Sequence, residues 1–252
     1  MIEFLRKRLG IVIIFVCVFA AYVLMTDVFR VLNPFLFHSV TKLPELFVRY
    51  LPQLLQGLKS SLTMLVTAYL LALAAGISIG AFIGSKSLVR KNLTPYINAF
   101  GAIPVTLLTP YAINVFPSFF AASIFIIFLG CFWIILGSTI AAVMTIDKRY
   151  LENAKTLEIP KIQRLFRVIL PAASPGILTG CTIALKLAFM LLAVAEMFGA
   201  SSGMGFFIQY YSDFGRFDLV AVGFIFMALV LMIILYVFDL IKGRILHWTI
   251  NN

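Results

Sequence analysis

Charge is scarce in this sequence: 12% of its 252 residues are Asp, Glu, Lys or Arg, against 62% hydrophobic, and the mean hydropathy is +1.07. An ordinary soluble domain carries about 25% charged and roughly 45–50% apolar residues. A water-soluble fold built from this chain would expose large apolar patches, so the composition selects lipid as the solvent. Histidine is scarcer still. His38 and His247 stand far apart, which excludes an H-E-x-x-H metal site and a histidine-based triad. The ten acidic residues are scattered, with no pair spaced for general acid–base chemistry. Cys17, Cys131 and Cys181 each lie inside an apolar run without C-x-x-C spacing, and read as small buried hydrophobes rather than metal ligands or a disulfide framework. The run GAFIGSKS from Gly80 to Ser87 imitates a phosphate loop. It fails because Ser85 stands where the second glycine belongs, and because it follows an apolar helix rather than a strand. Repeats of 20–50 residues and low-complexity tracts are missing too.

What is present is a series of long apolar runs at 9–26, 61–84, 93–115, 118–144, 174–197 and 218–241. Each meets the roughly 17–25 residues that a bilayer-spanning helix needs. They predict an all-α integral membrane protein of about six transmembrane helices forming a single domain, 1–252. The third and fourth runs are parted mainly at Phe116-Pro117-Ser118, where proline favours a helix start. Arg6-Lys7-Arg8 before the apolar stretch Ile11 to Met25 is expected to make a retained signal anchor, the first span of the bundle. The long segment 27–60, with Pro34, Pro44 and Pro52, is expected to hold an interfacial helix.

The net charge of +10 is not a nucleic-acid signal, since the basic residues sit in short clusters between apolar runs rather than on a polar face. Placing the N-terminus inside puts fourteen Lys and Arg in internal segments and five outside, with Lys186 within a span. That is the positive-inside bias expected of six spans with both ends in the cytoplasm.

The segment 145–173 holds the densest basic cluster. Lys148 to Leu157 predicts a short polar helix, and Pro160 opens a second at a favoured first-turn position. In the second, Ile162, Leu165, Phe166 and Ile169 recur at i, i+3, i+4 and i+7, forming one apolar stripe. Pro171 and Pro175 then precede the fifth span. Two short helices set at an angle would make a projection that another protein could grip. By periodicity alone, a helix lying on anionic lipid fits equally well.

The stretch ENAKTLEIPKIQRLFRVILPAASPG resembles the cytoplasmic signature of ABC importer permeases, E-A-A-x3-G-x9-I-x-L-P. Glu152 and Ala154 match its opening, and Leu170-Pro171 match its close at the right distance. Ala195 to Ile208 (AEMFGASSGMGFFI) and the last span, with Asp239, Gly243, Arg244 and Trp248, resemble the nitrate, sulfonate and taurine branch. The likeness covers roughly residues 55–250. Asn153 replaces the middle alanine, Val168 the isoleucine and Glu158 the signature glycine. If residue 158 has φ > 0, a side chain there costs on the order of 1–2 kcal/mol. Phe116-Pro117 also stands where the family has a glycine-containing polar turn.

The resemblance implies a type I importer in the cell membrane, in which this chain is not the enzyme. A homodimer of permeases would join a dimer of ABC ATPases that bind ATP and magnesium, and an extracytoplasmic binding protein would deliver a small anionic solute. The implied ATPase-coupling residues are Glu152, Asn153, Ala154, Leu157, Glu158, Pro160, Leu170 and Pro171. Glu152 would pair with a basic residue of the partner, and Ala154 and Leu157 would pack into its groove. Lys186, near the middle of the fifth span, faces at least about 2.5–3.5 kcal/mol of intramembrane penalty. It is either an element of the translocation path, with Met190 and Glu196 on the same helix, or a member of a buried ion pair. Glu196 is not its direct partner, being about 80° away around the helix. A scaffold subunit coupling ATPases to another membrane protein is the rival reading. A secondary transporter is a weaker one, as it would show inverted repeats or paired broken spans.

Overall fold

The computed structural model describes residues 39–248 without interruption and, before them, 13, 14, 16, 17, 20–29, 31, 33 and 35–37. The predicted first span at 9–26 therefore falls partly outside the described residues. Its later part is helical at 20–23 and passes into a π-helical turn, Leu24–Val28.

Among the described residues the chain is helical and contains no strand. Helix α1, Leu43–Ser85, is 43 residues long, about 64 Å at 1.5 Å per residue. Among the described residues of 27–60 the expected separate interfacial helix is not found: from Leu43 onward the segment is the first part of α1. Pro52 lies inside it without ending it. After an extended Lys86 come α2, Ser87–Gly101, a 3-10 turn Val105–Leu108, and α3, Thr109–Val115. The third run is thus not one straight span but a helix pair bent by 73°. Pro104 sits at the bend, where it removes a backbone donor and biases Ile103 away from helix. As predicted, Phe116-Pro117-Ser118 is the next boundary. The Ser118 hydroxyl accepts from the Ala121 N–H (3.2 Å) and caps α4, Phe119–Met144.

Helices α5, Lys148–Thr156, and α6, Lys161–Arg164, form the polar excursion predicted at 145–173. A π-helical turn, Leu165–Ile169, runs directly into α7, Leu170–Gly199. The second short helix is therefore not free-standing: Lys161–Gly199 is one 39-residue rod. A short helix α8, Met204–Asp213, and a last span α9, Phe217–Ile245, complete the chain. Among the described residues, four helices are long and apolar enough to cross a membrane, or five with the bent pair.

At the centre lies α4, packed most extensively between α1 and α7. Apolar residues all round it meet a solvent as apolar as themselves, so close approach rather than hydrophobicity must hold the helices together. Gly80 shows how: a Cβ there would sit 2.7 Å from the Thr139 Cβ of α4. Only glycine allows that contact.

Candidate functional site

Two separate features meet the sequence-predicted residues, one at each end of α7.

At the first, Asp147 caps α5 by accepting from the Arg149 N–H (2.9 Å). The helix closes in a Schellman turn, with Ile159 N–H donating to the Ala154 carbonyl (3.1 Å) and Glu158 N–H to that of Lys155 (2.9 Å). This geometry requires a left-handed residue at 158, and Glu158 has φ +50°, the one positive φ of a non-glycine residue among those described. Strain anticipated from the departure at this position is therefore present. Glu158→Gly is expected to raise the stability of the purified protein by about 1 kcal/mol, after allowing for glycine's larger unfolded-state entropy. A thermal melt that falls instead would refute it.

Exposure around this turn corrects the expected partner face. Glu152, Asn153, Leu157 (72% exposed), Glu158, Pro160 and Pro171 are open, but Ala154 is only 2% exposed and Leu170 is part-buried. Ala154 is packed within its own chain and cannot enter a partner's groove. The predicted apolar stripe is also divided. The extra residue accommodated in the π-helical turn breaks the 3.6-residue phase, so Ile169 is buried and Leu165 part-buried, while Ile162 (74%) and Phe166 (63%) stand exposed. Leu157, Ile162 and Phe166 are thus three exposed apolar side chains on one short segment, among Lys155, Lys161 and Arg167, which are exposed too.

At the far end of α7, Glu196 is fully buried. Its Oε1 accepts from the Ser61 hydroxyl of α1 (2.5 Å) and its Oε2 from the Gly205 N–H of α8 (2.7 Å); Ser61 in turn accepts from the Met204 N–H (2.9 Å). One carboxyl group therefore ties three helices and caps the start of α8. Gly203, the residue before α8, has φ +142°, and a Cβ there would overlap the Glu196 carboxyl. Beside this clamp lies a pocket of about 110 Å³ lined by Gln53, Gln56, Ser201 and Phe206, among others. Tyr211 on α8 donates to Gln53 Oε1 (3.0 Å); burial raises its phenol above the ordinary value, against a lowering by that bond. Glu196 is thus a buried tie, not an open member of a path. Ser61, Gly203 and Gly205 were missed in the sequence. Gly199, Gly203 and Gly205 offer a local turn signal, whereas Ser61 lies 135 residues away from Glu196 and carries none.

Lys186 and Met190 are exposed and line an open cleft of about 280 Å³ between α7 and α9. The alternative of a buried ion pair is not realised, since the ion pairs among the described residues are Arg149–Asp147 and Arg216–Asp218.

Long apolar helices around a central span, with a capped polar excursion at one end, define a polytopic α-helical membrane protein. Residues 72–249 match the family described as binding-protein-dependent transport system inner membrane component. The chain belongs to that family, as the membrane permease subunit of an ABC importer. It is 30% identical to the nitrate import permease NrtB of Leptolyngbya laminosa over 186 residues, 74% of this chain and 67% of that protein. It is also 30% identical to the taurine transport system permease TauC of Escherichia coli over 193 residues, 77% and 70% of the two chains. Its fold resembles a chain of the inward-facing MetNI methionine ABC transporter, with TM-score 0.69 and 17% identity, covering 78% of this chain and 98% of that one.

Proposed function

We propose that two copies of this chain form the membrane core of an importer for a small anion, driven by a separate ATPase dimer that binds ATP and magnesium and seats on the α5–α6 segment. The observation that carries this reading is the exposed trio Leu157, Ile162 and Phe166, presented beside the Schellman turn. An apolar cluster ringed by charge is the anatomy of a protein interface with an apolar centre and polar rim. The segment holds the chain's densest cluster of Lys and Arg, from Lys148 to Arg167, so the positive-inside bias favours a cytoplasmic position for it and for both termini. ATP-driven closure of the ATPases would draw the two segments together and rock the bundles as rigid bodies. A binding protein would then deliver solute at the opposite mouth. An anionic cargo is supported by the relative named for nitrate, and an anionic headgroup by the one named for taurine, a zwitterion that carries a sulfonate.

The experiment is purification of the full chain with its ATPase. Leu157→Asp and Glu152→Ala are expected to melt close to the unchanged protein, because both residues are exposed. Each should cut ATPase retention and transport-stimulated hydrolysis, Leu157→Asp by about tenfold or more, as placing a charge at an interface centre does. Normal ATPase retention by both variants would reduce the segment to a lipid-surface helix. Retention of the ATPase together with a second, different membrane subunit, and no binding protein, would favour the scaffold reading.

A further inference from the structure

We propose that the cleft between α7 and α9 is an anion-binding station on the translocation route, with Lys186 as its single cation. Met190 and Ala193 of α7 and Phe224, Ala228 and Leu231 of α9 are among its other walls, and the space is about 280 Å³. Lys186 lies sixteen residues after Leu170 and thirteen before Gly199, about 24 Å and 20 Å from the ends of the helix. It is thus deep in the span, where a charge is expensive and faces a wet cavity or a partner group.

The acids on the two helices do not serve as that partner. Glu196 is engaged by Ser61 and Gly205, and Asp218 by Arg216. Asp239 lies eleven residues beyond Ala228 on α9, about 16 Å along the axis. The named walls other than Lys186 are apolar, so they offer no competing donors. Such a site holds a compact anion by charge and one or two ammonium hydrogen bonds, and releases it readily, as a transit station must. A nitrate-sized oxyanion, or a sulfonate with a short apolar tail against Met190 and Phe224, has the matching chemistry. This inference rests on the anionic-cargo reading above and adds the residue that selects the charge.

The test uses the full chain in nanodiscs of purely zwitterionic lipid, titrated with nitrate and with methanesulfonate at constant ionic strength, with melting temperature as the readout. A saturable rise is expected for the unchanged protein and for Lys186→Arg. In Lys186→Met and Lys186→Gln the apparent affinity should be about tenfold weaker or lost, equivalent to one charge-assisted bond. Two neutral variants guard against one that fails to fold. Equal titration curves for the unchanged and neutral proteins would overturn the station. So would a Lys186-dependent stabilisation produced by phosphatidylglycerol but not by the small anions, which would make the cleft a lipid-headgroup site. Uptake of an uncharged or cationic solute by the reconstituted importer would instead overturn the cargo reading, whatever the lysine variants do.

Discussion

Gly203→Ala is expected to cost roughly 3–5 kcal/mol and to lower sharply the yield of folded protein. At φ +142° and ψ 167° the backbone lies in a region open essentially to glycine alone, and forcing a side chain into it costs about 1–3 kcal/mol. The added Cβ would also overlap the Glu196 carboxyl, so the clamp must open. Opening it leaves the Ser61 hydroxyl and the Gly205 N–H without their buried acceptor, and a buried polar group left unpaired costs about 1–3 kcal/mol. Glu196→Ala should approach the same loss by deleting the acceptor. Glu196→Gln should lose about half of it, since the amide can still accept from Gly205 but cannot take the Ser61 proton on its nitrogen. A thermal-melting series in a fixed detergent checks the order. If Gly203→Ala melted with the unchanged protein, the tie between α1, α7 and α8 would not exist as described.

Ala154→Asp is the second large effect, and it separates folding of the α5–α6 segment from the ATPase docking proposed for it. The Ala154 carbonyl accepts the Ile159 N–H in the Schellman turn, and the side chain is 2% exposed. A carboxylate there would be buried without a designed partner, which costs several kcal/mol unless the segment unpacks. Loss of both melting temperature and ATPase retention is therefore expected. Exposed Glu152 and Leu157, by contrast, should affect retention alone. Limited proteolysis between Lys148 and Lys161 gives an independent readout, with accelerated cleavage expected only in Ala154→Asp. Resistance equal to that of the unchanged protein would mean that Ala154 tolerates charge and faces outward after all.

Much of the architecture was determined by the sequence on its own, because a bilayer imposes its demand locally: each spanning helix must carry its own apolar run. The break at Phe116-Pro117-Ser118, the last three long spans and the polar excursion at 145–173 were all visible for that reason. So was the strained turn at Glu158, since one departure from a spaced pattern is a local fact. Helix continuity was less legible. Apolar runs do not show that α1 begins at Leu43 or that Lys161–Gly199 is one rod, because a helix can continue through polar residues and through Pro52 when neighbours support it.

Only tertiary packing decided the rest. Periodicity puts Ile162 and Phe166 on the same stripe as Ile169, yet one widened turn parts them. The sequence shows Glu196 and Lys186 as two charges on one helix. Packing gives the first two buried partners, Ser61 of α1 and Gly205 of α8, and leaves the second without an acid in an apolar cleft. Hydropathy is summed over neighbours in the chain, whereas hydrogen-bond partners are set by helices that meet across more than a hundred residues.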